Sequence, residues 1–194
     1  MRWLLRPAGV LPEIEPLTPI TRPKPFDDPA FLFEPQYRGH RALLYVRDPG
    51  VWFQSAAGGV AFGFDALALS VRQHLLENVL ILDGVVIALD GDGKQDRQSR
   101  LSGGSQLHYA AFDVLWRGRQ DLRRRPLWWR KLALEELIPR SGPILSRVYA
   151  VPEQGRALYR AAERLHYGGI VAKRRADPYQ EGAVWYQIRT RAPR

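Results

Sequence analysis

Residues 33–46 read Phe-Glu-Pro-Gln-Tyr-Arg-Gly-His-Arg-Ala-Leu-Leu-Tyr-Val. The stretch changes character at Gly39, which suits a turn. Beyond it, Arg41–Val46 reads as a strand, with Ala42, Leu43, Leu44 and Val46 supplying the sheet. A turn at Asp48-Pro49-Gly50 and a second strand at Val51–Gln54 follow.

Working outward, prolines at 7, 12, 16, 19, 23, 25 and 29 make residues 1–30 an extended arm laid on a domain counted from residue 25. The arm proper is 1–24 and the domain 25–194. Residues 65–77 place Leu67, Val71, Leu75 and Leu76 on one helical face. Val79–Leu89 is a long apolar run, a buried strand with Gly84 inside it, closed by a turn at Asp90-Gly91-Asp92-Gly93. Leu107–Leu115 is a further strand. Pro126 suits the first turn of a helix to Ile138, with Leu127, Leu134 and Leu137 inward. Residues 144–149 predict a strand, 153–166 a helix ending near Gly168-Gly169, and Ile170–Arg174 and Val184–Arg189 the last strands. The sum is an α+β domain of mixed sheets with flanking helices, not a doubly wound one.

The chain has 194 residues, 45% of them hydrophobic, which suits one domain with a substantial core. No apolar run approaches membrane-spanning length, and Arg6 and Pro7 break the first apolar stretch too early for a signal peptide. Without cysteine there is no disulfide, thiolate metal site or cysteine nucleophile, which fits the cytoplasm. The net charge of +9 favours a polyanionic partner such as nucleic acid; free use of Arg on solvated surfaces in a GC-rich genome is the plainer reading.

The segment at 33–46 resembles the nucleophile motif of the ATP-dependent DNA ligases, Glu-Pro-Lys-x-Asp-Gly-x-Arg-Ala. Four further segments resemble that family in order. They are Leu82-Asp83-Gly84-Val85, Ala111-Phe112-Asp113-Val114-Leu115, Gly168-Gly169-Ile170-Val171-Ala172-Lys173 and Trp185-Tyr186-Gln187-Ile188-Arg189. The resemblance implies the ATP-grasp-like nucleotidyltransferase fold of a ligase adenylation domain, and with it ATP, Mg²⁺ and DNA. An OB-fold domain is expected to be absent, because so little chain follows Arg189.

The residues that carry the family's chemistry are replaced. Gln36 stands at the nucleophilic Lys, and its delocalised carboxamide nitrogen cannot attack phosphorus. Arg38, Val85 and Gly168 stand at acidic positions, Ala56 at the nucleotide-contacting Arg, and Gln187 at a phosphate-neutralising Lys. Losing one charged group from a phosphoryl-transfer site costs on the order of 10³-fold. The expectation is therefore a non-catalytic family member, with no metal site and no bound cofactor, acting as a DNA-binding or scaffold protein in repair or recombination. Its partners would be DNA or another repair protein, with no membrane association. The alternative is a residual or split ligase completed by a partner chain. Lys173 and His40 are candidate substitute nucleophiles; His40 reads more readily as a surface or packing residue.

Arg41, Phe112, Lys173, Trp185 and Arg189 (an Arg for a family Lys) remain at nucleotide-contacting positions. They suit either a metal-free nucleotide or phosphate pocket, with Phe112 against the base, or a collapsed pocket whose cations face solvent. The loss of polar partners at Val85, Ala56 and Ala57 favours collapse. A second surface, Arg123, Arg124, Arg125, Arg130 and Lys131 with Trp128 and Trp129, joins Arg174, Arg175, Arg189, Arg191 and Arg194 as a candidate DNA track. The plain reading of that segment is a solvated loop and an amphipathic helix whose tryptophans are partly core.

Overall fold

An apolar run without alternation needs cover on both faces, and Val79–Leu89 is such a run. The computed structural model describes residues 11–61, 63–92, 95 and 106–190. In chain order its elements are β1 (Ile20–Thr21), β2 (Asp28–Gln36), β3 (His40–Arg47), β4 (Gly50–Ser55), α1 (Asp65–Arg72), β5 (Val79–Leu89), β6 (Gln106–Arg117), β7 (Gln120–Asp121), α2 (Leu127–Leu137), β8 (Leu145–Arg147), β9 (Val151–Glu153), α3 (Gly155–Arg164), β10 (Gly169–Arg174) and β11 (Trp185–Arg189). They build two sheets, ordered β1-β11-β10-β2-β9 and β4-β3-β5-β6-β7, with β8 beside β6. The β1–β11 and β6–β8 pairs are parallel, and the remaining pairs antiparallel, as at β3–β5 and β10–β2. This is the expected α+β arrangement.

Strand parity then sorts the core. Leu80, Leu82 and Val86 of β5 join Ala42, Leu44 and Val46 of β3 in a layer under α1 and α2, which contribute Leu67, Val71 and Leu134. On the opposite face, Ile81 meets Leu43, Tyr45 and Leu115 at one end, and Val85 and Ile87 meet Ala110 and Val148 at the other. The first sheet buries Phe31, Phe33, Ile170, Ala172 and Ile188 against Leu158 and Ala162 of α3. Its other face, carrying Glu34, Val171, Lys173 and Trp185, turns toward the second sheet.

Two glycines are needed for room. A Cβ on Gly84 would stand 2.5 Å from the Tyr109 ring, whose hydroxyl donates to the carbonyls of Ala42 (3.1 Å) and Leu82 (3.2 Å). At Gly39 a Cβ would stand 2.2 Å from Val86 O. The glycine of the opening motif therefore serves close approach of the β2–β3 link to β5, which the turn reading did not anticipate.

Other expectations need correction. The helix forecast over 65–77 stops at Arg72, whose guanidinium binds Leu75 O (2.8 Å). Leu75 is turned into the core by that bend, while Leu76 is fully exposed (100%). The arm is more firmly held than an overlay. Leu11 and Ile14 are core residues, Ile14 N–H donates to Tyr45 Oη (3.1 Å), and Gln54 Nε2 donates to Ile14 O (3.0 Å). Residues 20–21 form β1 and residues 28–30 already belong to β2. Residues 1–10, the turn residue Gly93, and Arg191 and Arg194 lie outside the described residues.

The largest correction concerns Arg130. It does not belong to a surface track: its side chain is fully buried, forked onto Asp113 through Nε (2.8 Å) and Nη2 (2.9 Å). Its remaining donors reach the carbonyls of Arg125 and Asp177. A carboxylate inside the apolar strand Ala111–Leu115 is costly to bury without such a partner. Arg130→Ala, which strands Asp113, is expected to cost about 3–5 kcal/mol, measured by urea denaturation. A loss below about 1 kcal/mol would mean the pair is not structurally required.

Candidate functional site

The facing sides of the two sheets enclose a cleft of about 200 Å³, lined by Glu34, Gln36, Arg41, Val85, Phe112, Lys173 and Trp185 among others. Register explains the grouping. Glu34 stands opposite Val171, which stands opposite Gln187, and Lys173 lies between Leu32 and Trp185. Four of the five nucleotide-position residues (Arg41, Phe112, Lys173 and Trp185) therefore converge here with Gln36 and Val85. Arg189 does not line the cleft and is exposed at the end of β11. Ala56 is also outside it, in the exposed turn where Ser55 Oγ bonds Gly58 O (2.9 Å).

The cleft is open, but its cations are engaged and do not face solvent as the collapsed-pocket reading required. Lys173 Nζ stands 2.7 Å from Glu34 Oε2 with its side chain 2% exposed, and Lys131 Nζ contacts Glu34 Oε1. Lys131 also donates to Phe112 O (2.6 Å). It therefore points inward from α2, away from the track that sequence reasoning drew. Arg41 forks onto Asp83 through Nε (3.1 Å) and Nη2 (2.7 Å), and its third nitrogen reaches Leu17 O. The Lys173 ammonium lies 4.0 Å from the Phe112 centroid and 4.1 Å from that of Trp185, so cation–π contact covers ring faces that a base would need. Burial is the main cause that pulls the Lys173 pKa down to about 8, with Glu34 opposing it and Lys131 reinforcing it.

Arg38 and Gly168 meet beside the link from β2 to β3. A Cβ on Gly168 would lie 3.3 Å from Arg38 Cγ, so the Arg38 stem fills the space above Gly168. The link is fastened by Gly168 N–H to Gln36 O (2.9 Å) and by Gln95 to Arg38 backbone groups. Gln36 Oε1 is buried with no donor among the described residues. A divalent cation such as Mg²⁺ wants free oxygen ligands. Positions 38, 85 and 168 offer none, Glu34 is shared by two lysines, and Asp83 is held by Arg41 and Tyr179. This donor set does not fit the metal.

Sequence reasoning missed Glu34, Asp83 and Tyr179 as site residues. Tyr179 Oη donates to Asp83 Oδ2 (2.7 Å) and accepts from Leu17 N–H (3.2 Å). The first two left a usable signal, because a carboxylate in a buried strand implies a nearby cation. Tyr179 left none. The outer cations divide. Arg123 is bound to Asp121 (2.6 Å), whereas Arg124, Arg125, Arg174 and Arg175 are exposed.

A family model described as "ATP dependent DNA ligase domain" matches residues 20–189. The multifunctional non-homologous end joining protein LigD of Mycolicibacterium smegmatis is 26% identical over 156 residues, covering 77% of this chain and 20% of its own length. A DNA ligase of Pyrobaculum calidifontis is 24% identical over 167 residues, covering 77% of this chain and 29% of its own. The chain thus spans less than a third of these relatives. A solved mycobacterial DNA ligase D complexed with ATP and MES superposes with a TM-score of 0.74 at 22% identity, over 91% of this chain and 61% of that one. The ligase domain of Mycobacterium tuberculosis LigD gives 0.72 at 23%, over 91% and 60%. At these identities the structural likeness establishes the fold.

The buried amine has a pH signature. Between about pH 8 and its ordinary value of 10.5, native Lys173 has released its proton while the unfolded chain keeps it. The unfolded state then binds more protons, so this group's contribution to stability rises with pH across that window. Its penalty is fully present below it. Lys173→Met leaves Glu34 with Lys131 and is expected to remove a rise on the order of 3 kcal/mol, read as the wild-type minus variant difference in unfolding free energy from pH 7 to 10.5. A difference that stays flat would refute the buried-amine assignment.

Proposed function

The chain belongs to the ATP-dependent DNA ligase domain family, and from that premise we propose that it is a non-catalytic member that binds DNA, serving repair or recombination as a scaffold for DNA or a repair protein. The observation that carries this reading is the Arg38 stem packed over Gly168, beside Gln36. Adenylyl transfer needs an amine nucleophile, a metal held by carboxylates, and cations free to meet phosphate. Here a carboxamide lines the cleft, Arg38 stands where the family resemblance expects an acid, and Arg41 and Lys173 are committed to internal carboxylates. The opening is also below the roughly 300–1,000 Å³ usual for ligand pockets. DNA affinity rests on the exposed arginines and the net charge of +9.

One observation favours a second reading. Lys173 is an amine beside the cleft with its pKa lowered to about 8. It could act as a displaced nucleophile in a residual or split ligase completed by a partner chain, its Nζ forming the bond to the α-phosphorus as pyrophosphate leaves. Incubation with α-labelled ATP and Mg²⁺ or Mn²⁺ separates the readings. The expected result is no covalent label and no heat on titration with millimolar ATP, ADP or AMP. Label that disappears in Lys173→Ala would establish the second reading. A labelled duplex is expected to bind with strong salt dependence, weakening several-fold in Arg124→Glu/Arg125→Glu; duplex binding unaffected by salt and by this variant would remove the patch.

A further inference from the structure

The turn before α2 and the loop after β10 are sewn together by backbone bonds. Leu127 N–H donates to Asp177 O (3.0 Å), Trp128 N–H to Arg175 O (3.0 Å), and Tyr179 N–H to Arg123 O (2.7 Å). This seam sets residues 123–128 beside 175–179; Arg124, Arg125 and Arg175 on it and Arg174 at the end of β10 are exposed, and none of them makes an ion pair among the described residues. Two acids lie along the seam. Asp121 is held by Arg123 (2.6 Å), and Asp177 accepts Val184 N–H (2.7 Å).

Two of the arginines are positioned by aromatic faces instead. Arg125 lies over Trp129 at 5.3 Å and Arg174 over Phe31 at 5.8 Å. A guanidinium held by its face keeps its N–H edges free for phosphate oxygens. On the same seam Trp128, whose N–H bonds Arg175 O, has an indole 43% exposed, and Leu132, one helical turn further on, is 54% exposed. Trp128 and Trp129 have thus taken different tasks: one lies under Arg125, while the other presents itself to the surface.

We propose that this surface binds a single-stranded stretch of nucleic acid, with a base stacked on Trp128 and the flanking phosphates on Arg124, Arg125 and Arg175. The inference rests on the DNA-binding reading above and sharpens it. Phosphate contacts alone would serve a duplex, whose bases are stacked on one another and offer faces only at the ends. An exposed indole among unpaired guanidiniums suits unstacked bases, which need a π surface as well as charge.

The test is fluorescence anisotropy of labelled dT12, rU12 and a blunt 20-base-pair duplex against the intact protein, as wild type, Trp128→Ala and Trp128→Phe. Trp128→Ala is expected to weaken dT12 binding about ten-fold and leave the duplex unchanged, while Trp128→Phe keeps most of the affinity. The Phe variant separates loss of stacking from misfolding, and the rU12 arm shows whether the strand is DNA or RNA. If duplex and single strand both bind and Trp128→Ala alters neither, the stacking inference is overturned while the DNA-binding reading stands. If no oligonucleotide binds, both fall.

Discussion

Among the described residues each fully buried carboxylate, Glu34, Asp83 and Asp113, is matched to a cation, and the site takes its character from this constraint. Glu34 is shared by Lys173 of β10 and Lys131 of α2, Asp83 is forked by Arg41, and Asp113 by Arg130. Burying a charge is costly unless an opposite charge stands beside it. The pairing determines which residues line the cleft and in which direction they point. It also ties layers together: Lys131 runs from a helix packed on the second sheet to a glutamate of the first, touching the β6 carbonyl of Phe112 on the way.

The same constraint decides what the site can offer a ligand. Arg41 and Lys173, the two positive groups of the cleft that resemble phosphate ligands in the sequence, are already paired from within, and the Phe112 and Trp185 faces carry the Lys173 ammonium. Interactions of this sort hold the cleft in shape without a guest. The electrostatic capacity of the protein is thereby displaced outward, to arginines with no internal acid to meet.

Much of the fold was legible in the sequence. The apolar run of β5, the strand after Gly39 and the helix opened by Pro126 follow from periodicity and turn residues, and the order of the motif segments predicted how they come together. Where reading failed, the cause was long-range. Arg130 and Lys131 sit in a basic cluster that looks solvated, and only Asp113 on β6 of one sheet and Glu34 on β2 of the other draw them inward. Leu76 shares a helical face with Leu75 on paper, yet the chain turns at Arg72 and separates them. Tyr179 lies in a loop with no periodicity, so its bond to Asp83 could not be foreseen. The convergence at the cleft was visible through family motifs, whereas the internal pairing of its charges was not.

The anchoring of the proline-rich arm bears on where the folding unit ends. The family match starts at residue 20, yet Leu11 and Ile14 already cover Leu43, Tyr45 and Ile81, and Tyr45 and Gln54 fasten the backbone of Ile14. The autonomous unit is therefore wider than the recognisable domain. Trimming the chain to the matched segment would bare an oily face of the second sheet and invite aggregation.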